Sequence, residues 1–85
     1  MYMDGRPRAA AADSQQADYL RCQLRLESEE CSMQLKKHAR MLTDCIEAGG
    51  HRGISHHRGR IRELENEMRS IGRMLDALDA RFPRA

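Results

Sequence analysis

Tryptophan is absent, phenylalanine occurs once, and proline stands only at Pro7 and Pro83. With so little aromatic bulk, a chain of 85 residues has little to fill a deep globular core, and chains this short bury only a small share of their surface. From Asp13 to Ala48 there is neither proline nor glycine, so nothing there forces a long helix to break. No apolar run approaches the roughly 20 residues that a membrane-crossing helix needs. Arg6 and Arg8 are followed by Ala9–Ala12, but no apolar segment comes after them to make a secretory signal. The three cysteines, Cys22, Cys31 and Cys45, contain no CxxC pair. An odd and sparse set does not build a disulfide scaffold, so the expected compartment is the reducing cytoplasm. A net charge of +2 is too small to indicate nucleic acid by itself.

What the sequence does contain is helical periodicity. Ile61, Leu64, Met68, Ile71, Leu75, Leu78 and Phe82 fall at alternating steps of three and four. That is the a/d spacing of a coiled coil, and it predicts a helix whose apolar seam needs a second helix as cover. Upstream, Leu20, Cys31 and Leu42 are eleven apart, as are Leu24, Leu35 and Ile46. An eleven-residue period stays close to the helical repeat, so these residues predict a nearly straight seam on a first helix. Ala17, Ser28 and Ala39 add small side chains to that face, with His38 and Cys45 at its edge.

Residues 1–8 carry no periodicity and are expected to form a disordered arm. Asp13 with Gln16 three residues on resembles a capping box, which puts the start of the first helix between Ala9 and Asp13. Gly49 and Gly50 suit a helix C-terminus. The expectation is therefore a first helix over about 11–48, a loop over 49–53, a second helix over about 54–82 with Ser55 as N-cap, and a tail over 83–85. A connection that short folds the second helix back antiparallel. The predicted fold is an all-α hairpin occupying 9–82. Two helices meeting along one line cover each seam only in part, and this predicts homodimerisation into a four-helix bundle.

Two further features point to contacts. Tyr19, Cys22, Leu26 and Met33 lie about 180–200° around the first helix from its seam, taking 100° per residue, and form a second apolar stripe. Between Glu47 and Glu63 there is no acidic residue, while Arg52, Arg58, Arg60 and Arg62 stand with His56 and His57. Positive charge near a helix N-terminus opposes the helix dipole, which marks this tip as a candidate anion or acidic-partner site.

Catalytic chemistry finds no support. Cys31, His38 and Cys45 are spaced too far along one helix to share an ion, since seven residues rise about 10 Å. His51, His56 and His57 with Cys45 match no zinc spacing. The glutamates Glu27, Glu29 and Glu30 read as a solvated face. No catalytic residue, cofactor or metal is expected. The chain reads as a non-enzymatic protein-interaction module that pairs with itself and with another protein. A small nucleic-acid-binding factor using the Arg/His tip is the alternative, weakened by the lack of aromatic stacking residues.

Overall fold

The chain folds as two long helices. The computed structural model describes residues 6–83, with side chains from Asp13 onward. Helix α1 spans Arg6–Ala48 and α2 spans His51–Arg81, and the two pack against each other as a hairpin. No helix among the described residues is long and apolar enough to cross a membrane.

Helix α1 begins earlier than Asp13. Pro7 lies in its first turn, where a missing N–H interrupts no helical hydrogen bond, and Ala9–Ala12 extend the helix through strong intrinsic propensity. Asp13 is thus an interior helix residue rather than a cap. Of the expected arm, residues 1–5 lie outside the described residues, as do 84–85 of the expected tail.

The turn is also tighter than the sequence suggests. Gly49 adopts φ 77°. Its N–H donates to the Ile46 carbonyl at 3.2 Å, and the Gly50 N–H donates to the Cys45 carbonyl at 3.0 Å. This paired arrangement satisfies the last carbonyls of α1. Gly50, with φ −86° and ψ 91°, is at once the N-cap of α2, and its carbonyl accepts the Ile54 N–H at 3.1 Å. Two residues therefore make the whole connection, and α2 starts at His51 rather than at 54. Ser55 lies inside α2 and caps nothing.

Gly53, which reads as a loop glycine, sits inside α2, and it is glycine because α1 passes close to it. A Cβ at Gly53 would stand 2.5 Å from Cys45 Sγ, whereas a Cβ at Gly59 or Gly72 would meet nothing within 4 Å. The last two glycines thus only weaken the helix. Gly59→Ala and Gly72→Ala should each stabilise the hairpin by about 0.5–1 kcal/mol. Gly53→Ala should show no such gain in the wild type and recover it when Cys45 is also replaced by Ala. Denaturant midpoints of the single and double variants check this.

The seam of α2 follows the predicted heptads and extends one repeat upstream through Ile54 and His57. Leu64 and Ile71 are buried with Cys31, and Leu24, Leu35, Met68 and Leu75 pack around them. The seam of α1 differs from the straight stripe. Its covered positions are Ala17, Arg21, Leu24, Ser28, Cys31, Leu35, His38, Leu42 and Cys45, again at alternating steps of four and three. Leu20 is 43% exposed and Ile46 52% exposed. The reason is geometric. A line of heptad contacts drifts about 20° per heptad across an α-helix, or roughly 80° over the four heptads from Ala17 to Cys45. The straight stripe and this line share Ala17, Leu24, Ser28, Cys31, Leu35 and Leu42, and part where Arg21 replaces Leu20 and Cys45 replaces Ile46.

Candidate functional site

Three polar side chains occupy heptad positions of α1: Ser28, which the sequence places on that face, His38, which it places at the edge, and Arg21, which apolar spacing passes over. Arg21 is the most enclosed side chain of the described residues, at 2% exposure. It reaches across to the end of α2. Its Nε donates to Asp79 Oδ1 at 2.8 Å and its Nη1 to Asp18 Oδ1 at 2.7 Å. Its Nη2 donates to the Leu78 carbonyl at 3.3 Å and to the Phe82 carbonyl. A guanidinium has donors in a fixed fork, so one residue pairs with two carboxylates at once, adds a second donor to the Leu78 carbonyl, which already accepts the Phe82 N–H at 2.7 Å, and satisfies the Phe82 carbonyl. The positive charge also suits the negative end of that helix. No signal from apolar spacing identifies Arg21, but its place four residues after Ala17 and three before Leu24 does.

His38 faces His57 across the seam, Nδ1 to Nδ1 at 2.8 Å. The rings are 5.1 Å apart, and the His56 ring lies 5.0 Å from that of His57. One Nδ1 must donate and the other accept, so two imidazolium rings cannot keep this bond. Loss of hydration on packing, then the charges of His57, Arg60, His56 and Lys37, hold His38 below its ordinary value of 6.5. Folding therefore favours the neutral ring. The unfolded chain binds the proton more readily, so the stability contributed by neutral His38 is complete above 6.5. It declines as pH falls below 6.5 and is gone beneath the folded-state value. The hairpin should melt at a lower temperature at about pH 5.5 than at about pH 7.5. His38→Leu should flatten that difference, as read by melting curves at both pH values.

The outer side of α1 carries the second stripe where the sequence places it. Tyr19, Cys22, Leu26 and Met33 are all exposed, with Leu26 at 54% and Met33 at 71%. A shallow concavity of about 460 Å³ is lined by Leu26, Glu29, Glu30, Met33, Gln34 and Lys37. Helix α2 packs on the opposite side and covers none of the four stripe side chains.

The residues expected at a basic tip divide between the seam and the exposed surface of α2. His57 is buried in the seam, because it occupies the heptad position between Ile54 and Ile61. Arg60 is half-buried and pairs with Glu63 at 2.6 Å. Arg52, His56, Arg58 and Arg62 are exposed, but with α2 beginning at His51, Arg58 and Arg62 stand two to three turns into the helix. They continue with exposed Arg69 and Arg73 along α2, in a row that exposed Glu65 and Asp76 interrupt on the same face.

The cysteines are all free thiols. Burial first, then the Glu67 carboxylate and a hydrogen bond to it, with Glu30 and Glu27 beyond, push the Cys31 thiol above its ordinary value. A thiol held protonated in this way is a poor nucleophile. Among the described residues no group of three or more His, Cys, Asp or Glu is placed to hold a metal ion. His51 and Cys45 do not join the cluster of His38, His56 and His57. No protein-family model matches the chain, and no curated protein or solved structure matches it significantly.

Proposed function

We propose that this chain is a non-enzymatic interaction module, a helical hairpin that pairs with a second copy into a four-helix assembly and offers its remaining faces to a protein partner. The observation that carries this reading is the stripe of Tyr19, Cys22, Leu26 and Met33, which stands exposed on the side of α1 away from α2. Apolar residues at helical spacing on an unpartnered face mark a contact surface. The molecule measures 76 × 19 × 14 Å, a cross-section two helices thick, and the concavity of about 460 Å³ on its outer face is shallow and open, a shape that suits a contact surface better than an enclosed substrate pocket. Three free thiols fit the cytoplasm.

Light scattering coupled to size exclusion tests the reading. At about 100 µM chain, where even a weak interface with micromolar dissociation constant is filled, the mass should be twice 9.8 kDa. Leu26→Lys with Met33→Lys should halve that mass and leave helicity near normal. A wild-type mass of one chain at that concentration would contradict self-association.

The row of Arg58, Arg62, Arg69 and Arg73 favours a second reading, binding to a nucleic-acid backbone along α2. Such binding would weaken steeply with salt. Absence of binding to a short duplex at low salt would retire it.

A further inference from the structure

We infer that the partner on the outer face of α1 is a second copy running antiparallel, related by a twofold axis that passes beside Met33. This rests on the self-association proposed above and specifies its geometry. The outer face continues beyond the apolar residues with heptad spacing: Leu26, Glu29, Met33, Lys36 and Arg40 follow at steps of three, four, three and four. All are exposed, as are Glu30 and Lys37 beside them. The charge is segregated about Met33. Glu29 and Glu30 precede it by four and three residues, and Lys36 and Lys37 follow it by three and four. Among the described residues the ion pairs are those of Arg21 with Asp18 and Asp79 and of Arg60 with Glu63, so these four charges have no partner among them.

A twofold interface brings each residue to the mirror position along the opposing helix. With the axis at Met33, Met33 packs on its own copy. At 100° per residue, Glu29 and Lys36 lie to one side of the line through Met33, and Glu30 and Lys37 to the other. Glu29 then faces Lys36 of the second copy, and Glu30 faces Lys37 of the second copy, making four pairs in the dimer. Leu26 lies under the aliphatic stem of Arg40 of the second copy, whose charged head remains in water. The parallel alternative stacks glutamate on glutamate and lysine on lysine, and like charges there oppose association. Because the stripe lies about 180° from the seam, the product is a flat layer of four helices with the two α1 helices inside and an α2 helix on each edge, rather than a square bundle.

The test is a charge exchange. Glu29→Lys with Glu30→Lys makes the face wholly basic, and Lys36→Glu with Lys37→Glu makes it wholly acidic. Each variant alone should run as a monomer by light scattering, with helicity near wild type because all four positions are exposed on the hairpin. Mixed in equal amounts they should recover the mass of two chains, since every pair is then complementary. If either variant alone dimerises like the wild type, self-association stands but uses another face. If both are monomers and the mixture stays monomeric, the antiparallel register is wrong. A wild-type monomer removes the underlying reading as well. Met33→Cys gives an independent readout: mild oxidation should cross-link the introduced thiol to its own copy in high yield. Native Cys22 should not cross-link to itself, because the register separates the two copies of it by roughly 33 Å along the helices at 1.5 Å per residue. Cross-linking through Cys22 in preference to the introduced thiol would overturn the register.

Discussion

Replacing Ile71 or Leu64 by aspartate will unfold the hairpin. Both side chains are 2% exposed and form the core cluster with Cys31. An aspartate at either position buries a carboxylate among Leu24, Leu35, Met68 and Leu75 with no partner, which costs several kcal/mol whether the group stays charged or takes up a proton. A chain of this length has a total stability of roughly 4–13 kcal/mol, so one such substitution removes most or all of it. Far-ultraviolet circular dichroism should show loss of helix at room temperature. Met74→Asp, three residues from Ile71 but exposed, should leave the spectrum and melting curve close to wild type. A Leu64→Asp chain that melts like the wild type would show that the seam is assigned to the wrong face.

Replacing Arg21 by alanine should produce the next largest loss. The side chain holds two carboxylates and two carbonyls at the end of α2. Asp18 and Asp79 both remain more than half exposed, so water can rehydrate them once the guanidinium is gone. The cost is therefore well short of breaking a fully buried ion pair, and about 2 kcal/mol is expected. Arg21→Lys should recover only part of it, because an ammonium cannot span the same acceptors in a plane. The location of the damage distinguishes this from a general core defect. Amide exchange should rise first over the last turn of α2, around Leu78 to Phe82, while Leu64 and its neighbours keep their protection.

These two variants also show where the sequence is transparent and where it is not. The seam of α2 is legible because every heptad position from Ile61 to Phe82 carries an apolar side chain, so apolar spacing and burial coincide. On α1 the same contact line passes through Ser28 and His38, which the sequence places on or beside that face, but also through Arg21, where a reading based on apolar residues follows Leu20 instead, as it follows Ile46 in place of Cys45. Arg21 and His38 hold their covered places through partners on α2, the carbonyls of Leu78 and Phe82 for Arg21 and the imidazole of His57 for His38. Such partners become known only when the two helices are set side by side. Gly53 has the same origin. A glycine three residues beyond Gly50 reads as loop, and the reason a helix residue here is glycine is Cys45 on the other helix. The outer stripe is legible for the opposite reason, since Tyr19, Leu26 and Met33 need no partner within the chain to be recognised as out of place. Of the basic tip, His57 is enclosed because it obeys the heptad, and the start of α2 at His51 sets Arg58 and Arg62 two to three turns along the helix.

The claim that the outer face of α1 is the surface through which the chain associates can be tested most directly by methyl nuclear magnetic resonance over a dilution series. The account predicts that the Leu26 and Met33 signals shift as concentration rises, while those of Leu64 and Ile71, already enclosed within the hairpin, stay in place. Leu26 and Met33 signals that remain fixed while the mass doubles, or a mass that never doubles, would contradict it.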